Sequence, residues 1–178
     1  MRSSQLLRMA IASIPVHILW IAAWTATPAI ARPITNLYTP IAQNTSQNAY
    51  EAELLRLTNL ERQKVGLAPL KLSSQLRKAA QNHAIDMAKN NYFSHTGRNG
   101  SSMTSRIKAT GYTYSFIGEN IAAGGQNPTD TLQQWMNSAG HRANILNPRF
   151  TEIGFGYASA PDSRYRYYWV QVFATPRR

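Results

Sequence analysis

The sequence of 178 residues contains no cysteine, and this absence removes several kinds of chemistry at once. A chain without thiols has no disulfide framework, no thiolate metal site and no cysteine nucleophile. Its stability must therefore come from packing and hydrogen bonds alone. Acidic residues are also few, because 8 Asp and Glu stand against 19 Lys and Arg, for a formal net charge of +11.

Long apolar runs are missing after residue 31, whereas the first residues have the order of a secretory signal. Arg2 and Arg8 precede or flank an apolar stretch over residues 9–24, and small residues lead up to Ala31. This order predicts a signal peptide over residues 1–31 that is cleaved near Ala31, and a secreted or periplasmic protein whose mature form does not span a membrane. The alternative is that the segment is retained as an uncleaved anchor.

The excess of basic residues predicts partners that carry negative charge. Removal of residues 1–31 takes away only Arg2 and Arg8 and leaves every acidic residue in place. Outside the cell, polyanions include wall polymers, phospholipid headgroups and lipopolysaccharide, so a lipid or an anionic cell-envelope component is expected. No nucleic acid partner is expected, because the basic residues are scattered and no nucleic-acid-binding motif is present. A solvated surface without a partner is the alternative interpretation.

Composition divides the rest of the chain into a flexible linker over residues 32–47, rich in Asn, Gln, Thr and Pro, and one domain over residues 48–176. Periodicity and turn residues predict helices near 49–65, 74–87 and 103–110 and from 128 onward, and strands near 112–117, 152–158 and 165–174. Helices that lie both before and between the strands predict an α+β domain with helices on both faces of an antiparallel sheet.

Three polar residues, His95, Glu119 and His141, stand beside glycines or in loops rather than within apolar stripes. Two imidazoles and one carboxylate can hold Zn²⁺ or another divalent cation and leave a position open. Without a metal they can act as acid and base, with Glu119 as the candidate base, although no residue is assigned as catalytic. Their separations of 24 and 22 residues form no local metal motif, so only the fold can bring them together.

Each of these residues also has a structural interpretation. His95 can bond to nearby backbone, Glu119 can accept hydrogen bonds from turn amides, and His141 can cap the end of the preceding helix. Gly140 predicts a turn that carries His141. His83 falls inside the apolar stripe of the second helix, so we expect a buried structural histidine there.

Five blocks follow one another along the domain. They are Phe93-Ser94-His95, Gly118-Glu119-Asn120-Ile121-Ala122, Trp135-Met136-Asn137-Ser138 with Gly140-His141-Arg142-Ala143-Asn144-Ile145-Leu146, Phe150-Thr151-Glu152-Ile153-Gly154, and Tyr168-Trp169-Val170-Gln171. Over about residues 50–174 the chain thereby resembles bacterial, cysteine-free members of the CAP superfamily, the cysteine-rich secretory, antigen 5 and pathogenesis-related proteins with their SCP domain. The resemblance implies a three-layer α-β-α sandwich with a central antiparallel sheet and a wide cleft.

In that superfamily two histidines and acidic residues line the cleft, and some members bind zinc or other divalent ions there. Carried over by motif, the cleft residues are His95, Glu119 and His141, with Ser138 where the animal and plant members have a second acid. Our first hypothesis is an exported binding module for a lipid or cell-envelope ligand. The alternatives are a metal-dependent, peptidase-like hydrolase in the same cleft, and a structural or interaction protein without ligand chemistry.

Overall fold

The computed structural model describes residues 40–177, with side chains from residue 46 onward. The elements, in chain order, are α1 (Pro40–Lys64), β1 (Lys71–Leu72), α2 (Ser74–Lys89), α3 (Met103–Lys108), β2 (Tyr114–Ala123), α4 (Pro128–Asn137), α5 (Ala139–Ile145), β3 (Glu152–Ala160) and β4 (Arg166–Pro176). The predicted signal peptide and the first half of the predicted linker lie outside the described residues.

The first helix begins earlier than predicted. It starts at Pro40, so a helix replaces the flexible linker expected over residues 40–47. Proline is tolerated in the first turn of a helix, where its missing N–H would have no partner in any case. Gln47 ties this part of α1 to the domain, because its Nε2 donates to Gln81 Oε1 of α2 at 2.7 Å. Neither α1 nor another helix within residues 40–177 is both long and apolar enough to cross a bilayer.

The described strands form one sheet with the order β1-β3-β4-β2. β3 and β4 form the predicted C-terminal hairpin, and β2 pairs with the other side of β4, so the three long strands are antiparallel. The short β1 adds a parallel pair on the outer side of β3. The central antiparallel sheet is therefore confirmed, and β2 forms one of its two edges.

The helix α2 lies directly against one face of the sheet. Ser73 caps its first turn, and its buried stripe includes Leu76, Ala80, Ala84 and Met87. This stripe packs against Tyr168, Val170 and Val172 of β4. Gly154 of β3 makes the close approach possible, because a Cβ built at this position would lie 2.1 Å from the backbone nitrogen of Arg77.

The opposite face of the sheet is covered by α1, α4 and α5. Its buried cluster comprises Leu54, Leu70, Ala122, Leu132, Trp135, Ile145, Phe150, Ile153, Phe155, Trp169 and Phe173. Arg62 of α1 is buried in this layer and donates to the carbonyl oxygens of Ala68, Ile145, Asn147 and Phe150. Helices on both faces of the sheet give the predicted three-layer α-β-α sandwich.

Two differences from the sequence prediction concern the candidate site. The strand expected near 112–117 continues to Ala123. Gly118 lies inside this strand and packs against the ring of Phe150, which would be only 2.7 Å from a Cβ at this position. The turn expected at Gly140 is instead part of the helix α5. Gly140 has no positive φ and an open surrounding, so the break between α4 and α5 lies at Ser138, whose backbone is extended.

Candidate functional site

An open cleft of about 630 Å³ lies along the β2 edge of the sheet. One wall is the loop over residues 93–95, which follows α2, and the other wall is the junction of α4 and α5. The lining residues are Phe93, Ser94, His95, Ile121, Ala122, Ala123, Gln134, Trp135, Ser138, His141 and Tyr165. The cleft therefore contains both predicted histidines and Ser138, and it combines an apolar floor with polar groups.

Glu119 lies beside the cleft and is held by two partners. His95 Nδ1 is 2.8 Å from Glu119 Oε1, and Arg106 Nη2 is 2.8 Å from Oε2 and 3.0 Å from Oε1. The Glu119 side chain is only 3% exposed, whereas that of His95 is 56% exposed. The structure thus brings the first predicted pair together and adds Arg106, a residue that no sequence motif indicated.

The electrostatics of this group favour an ionised carboxylate. Burial raises the pKa of Glu119, but the hydrogen bond from His95 and the positive charge of Arg106 outweigh it, so the pKa lies below its usual value. Arg106 also donates to the backbone carbonyl of His95 at 3.0 Å and to that of Ser101 at 2.9 Å. It therefore fixes both the carboxylate and the loop that carries His95.

His141 stands on α5 on the opposite wall of the cleft from His95. Burial lowers its pKa, and the nearby charge of His95 lowers it further, so the His141 ring is neutral at pH 7. The backbone of α5 is anchored to the sheet, because Asn120 Nδ2 donates to His141 O at 3.0 Å and Asn144 Nδ2 donates to Asn120 Oδ1 at 2.8 Å. Asn120 also reaches Gln171 on β4.

No sequence motif indicated that these amide side chains form a hydrogen-bond network at the centre of the fold. Gln171 continues the chain of hydrogen bonds to Thr58 of α1 at 3.1 Å. Asn120, Gln171 and Thr58 are all fully buried. The only sequence signal for the buried position of Asn120 is the alternation along the strand, which directs Asn120 and Glu119 to opposite faces of β2.

The prediction for His83 is confirmed, and its contact supports the site indirectly. The side chain is 1% exposed in the α2 layer, and its Nε2 is 2.9 Å from the carbonyl oxygen of Ser94. Burial lowers the pKa of His83, so the ring is neutral and its Nε2–H is the donor. His83 therefore holds the loop that places His95 in the cleft.

The predicted metal ligands do not form a three-residue metal site in this arrangement. Both carboxylate oxygens of Glu119 already accept hydrogen bonds from Arg106 or His95, and His95 Nδ1 faces Glu119. Among the residues whose side chains the structure describes, no three His, Cys, Asp or Glu side chains are grouped so that they could hold a metal ion. The donor set of His95, Glu119 and His141 thus does not fit a resident metal.

A family model described as the cysteine-rich secretory protein family, CAP, matches residues 55–173. The chain therefore belongs to the CAP family, and the fold described above is that of an SCP domain.

Relatives and solved structures agree with this assignment. The uncharacterised protein YkwD of Bacillus subtilis is 44% identical over 128 residues, which is 72% of this chain and 48% of the relative. The uncharacterised membrane protein YlbC of the same organism is 36% identical over 110 residues, 62% of this chain and 32% of YlbC. The chain thus spans about half or less of the length of these curated relatives.

Among solved structures, an extracellular protein containing an SCP domain from Bacillus anthracis superimposes with a TM-score of 0.68 at 33% identity, covering 76% of this chain and 43% of that one. An outer surface protein from Borrelia burgdorferi superimposes with a TM-score of 0.64 at 23% identity, covering 70% of this chain and 90% of that one. The second match is evidence for the fold alone.

Proposed function

We propose that this chain is an exported binding module whose cleft holds a lipid or an anionic component of the cell envelope. The observation that carries the proposal is the cleft of about 630 Å³, which joins apolar side chains to two imidazoles. Its volume lies within the range of small-molecule sites, which combine an apolar lining with a few polar groups that orient the ligand. An amphipathic ligand matches this division.

The exposure of the apolar lining supports binding. Phe93 is 40% exposed, and its ring lies 5.6 Å from that of Tyr165 on the same side of the cleft. An aromatic pair left open to water loses the free energy that its burial would contribute, about 25 cal/mol for each Å². A ligand with an apolar portion would cover these rings, while its polar end would meet His95 and His141.

The state of Glu119 favours binding over hydrolysis. A general base needs a free lone pair within reach of the water or substrate proton that it removes. The carboxylate of Glu119 is 3% exposed, and both of its oxygens accept hydrogen bonds from His95 or Arg106. Such a carboxylate is suited to holding His95 and Arg106 in place.

The export of the protein is part of the same proposal. The predicted signal peptide over residues 1–31 supports it. So does the description of the solved relative from Bacillus anthracis, which is 33% identical, as an extracellular protein. Because this chain matches less than half of the longer relatives, the proposal concerns the activity of the CAP domain.

A cleft-filling substitution tests this function. We expect Ser138→Phe to weaken binding of oleoyl lysophosphatidylglycerol, an anionic single-chain lipid, by at least about tenfold, because the new ring occupies the space of the ligand. Ser138 makes no side-chain capping hydrogen bond, so the fold should be retained. Isothermal titration calorimetry measures the affinity. Ser74→Phe, at an exposed serine at the start of α2, is the matched control and should bind as the unsubstituted protein does. Equal binding by all three proteins would place the lipid outside the cleft.

A further inference from the structure

The floor of the cleft is an unpaired strand edge. β2 is hydrogen-bonded to β4 on one side, and within the part of the chain that the structure describes no strand pairs with its other side. The residues of β2 that line the cleft are Ile121, Ala122 and Ala123. An unpaired edge presents backbone donors and acceptors to any extended chain that lies beside it.

The register identifies which backbone groups face the cleft. Gly124 N donates to Tyr167 O at 3.0 Å, and Ala122 pairs with Trp169 two residues earlier. Because bonded and non-bonded pairs alternate in antiparallel sheets, Ala122 bonds to β4 while Ile121 and Ala123 direct their N–H and C=O groups outward. Asn144 Nδ2 lies 3.4 Å from Glu119 O, which is the position expected for an outward carbonyl in this alternation.

The helix α5 covers only the first part of this edge. Its Asn144 reaches the carbonyl of Glu119, but the cleft opens at Ile121 and continues to Ala123. The two outward-facing residues are about 6.8 Å apart, which is the repeat of a strand. An extended peptide placed here would lie between the loop that carries His95 and the helix α4.

A second, independent observation indicates an unfilled hydrogen-bonding position. The side chain of Trp135 is fully buried and lines the cleft, and its indole Nε1 has no hydrogen-bond partner among the described residues. A buried donor without a partner costs free energy, so native proteins seldom retain one. Because this nitrogen is closed to solvent, a ligand carbonyl in the cleft would reach it only after a small shift of the wall that Trp135 forms.

The charges around the cleft select the kind of peptide. None of the residues that line it is acidic, and the neighbouring carboxylate of Glu119 is neutralised by Arg106. At the Ala123 end, the guanidinium of the exposed Arg164 lies 5.3 Å from the ring centre of Tyr165. The acidic residue nearest to Arg164 along the chain is Asp162, in the turn between β3 and β4. A carboxylate on the ligand could pair with the charge of Arg164 and accept hydrogen bonds from the imidazole N–H groups of His95 and His141.

We infer that the cleft binds an extended acidic peptide segment, which adds as a strand to the outer edge of β2 at Ile121 and Ala123. This inference rests on the proposed function and names the ligand class for the same cleft. Backbone hydrogen bonds supply the affinity in this mode of recognition, and the flanking pockets supply the selectivity.

The probe is a library of blocked hexapeptides that carry two aspartates at one end or the other, passed over the immobilised protein. We expect selective retention of library members. The best peptide is then remade with N-methyl groups on alternate backbone nitrogens, in both phases. One phase should abolish binding and the other should leave it nearly unchanged, because only alternate N–H groups of an added strand face β2.

A matched pair of variants tests the protein side. Ala123→Pro removes an outward N–H that the pairing with β4 does not use, and edge strands tolerate proline. We expect Ala123→Pro to fold and to bind the peptide at least about tenfold more weakly, a change that calorimetry measures directly. Ala123→Val, which adds similar volume at the same cleft position but keeps the N–H, should weaken binding much less than Ala123→Pro does.

Amide exchange keeps the test decisive if Ala123→Pro does not fold. In the free protein the amides of Ile121 and Ala123 should exchange faster than that of Ala122. Slow exchange at all three positions would overturn the inference, and so would the absence of retained peptides or equal binding in both N-methyl phases. If oleoyl lysophosphatidylglycerol binds in the cleft while every peptide fails, the peptide assignment is wrong and the binding function stands. If neither probe binds, both proposals fail.

Discussion

At Gly154 the contact between α2 and the face of the sheet leaves no room for a methyl group, whereas the cleft at the β2 edge leaves about 630 Å³ open. In the first region helix backbone lies on strand backbone, and the buried stripe of α2 is fully covered. In the second, the ring of Phe93 remains exposed and the indole nitrogen of Trp135 has no partner among the described residues.

This difference separates the part of the fold that provides stability from the part that is available for a ligand. A gap in the packing and a buried donor without a partner each cost free energy, so either feature weakens a fold. The cleft carries both features. The α2 interface is closed at Gly154, although His83 Nδ1 and Tyr168 Oη within it also lack hydrogen-bond partners among the described residues. Substitutions in the first region should therefore affect unfolding, and substitutions in the second should mainly affect binding.

The largest effect is expected at Gly154. Gly154→Ala places a Cβ against the backbone of Arg77, where no side chain can move aside, and should destabilise the protein by about 3 kcal/mol or more. Gly140→Ala is the control, because Gly140 lies in α5 with open space around it and should gain up to about 1 kcal/mol from helix propensity. Urea unfolding followed by circular dichroism measures both. Similar stability for the two variants would contradict the account of the α2 contact.

A smaller loss is expected at Arg106, which lies between the two regions. Arg106→Met removes the guanidinium from the buried Glu119 but leaves His95 bonded to it, and we expect a loss of about 2 to 3 kcal/mol at neutral pH. Because burial alone raises the pKa of Glu119, the carboxylate should then take up a proton at higher pH than in the unsubstituted protein. The pH dependence of urea unfolding checks both effects. A variant with the same free energy of unfolding at neutral pH, and the same loss of stability at low pH, would show that the ion pair does not stabilise the fold.

In the unsubstituted protein, the effect of Glu119 on stability at low pH has a definite direction. The folded-state pKa of Glu119 is depressed, so its stabilisation is complete above the pKa of the unfolded chain and is lost as the pH falls through the folded value.

The smallest effect is expected from His141. Its pKa is also depressed in the folded state, so the unfolded chain binds more protons and stability should decrease as the pH falls below about 6.5. His141→Gln removes this contribution and should flatten the stability curve between pH 7 and pH 5. Urea midpoints at several pH values measure the slope. An unchanged slope would mean that His141 titrates normally in the folded protein.

Much of the architecture could be predicted from the sequence, because hydrophobic periodicity reports burial directly. The stripe of α2, the serine cap before it and the C-terminal hairpin follow from local patterns. The family motifs also identified His95, Glu119 and His141, and the structure places both histidines in the cleft, with Glu119 bonded to His95.

The remaining features depend on contacts between residues that are distant in the sequence. Arg106 lies on a short helix whose local pattern does not indicate that it faces Glu119. Gly118 predicts a turn in isolation, and only the ring of Phe150 explains why it belongs to β2. Gly140 likewise predicts a turn in isolation, but the chain turns at Ser138 and Gly140 lies within α5.

The indole resonances provide the most direct test of the cleft as a binding site. Trp135 Nε1 lacks a partner among the described residues, whereas Trp169 Nε1 donates to Gly125 O at 2.8 Å in the packed interior. In a ¹⁵N–¹H spectrum titrated with oleoyl lysophosphatidylglycerol or with the selected peptide, the Trp135 indole signal should shift and that of Trp169 should stay in place. Saturable binding that leaves the Trp135 signal unmoved would contradict the assignment of the cleft.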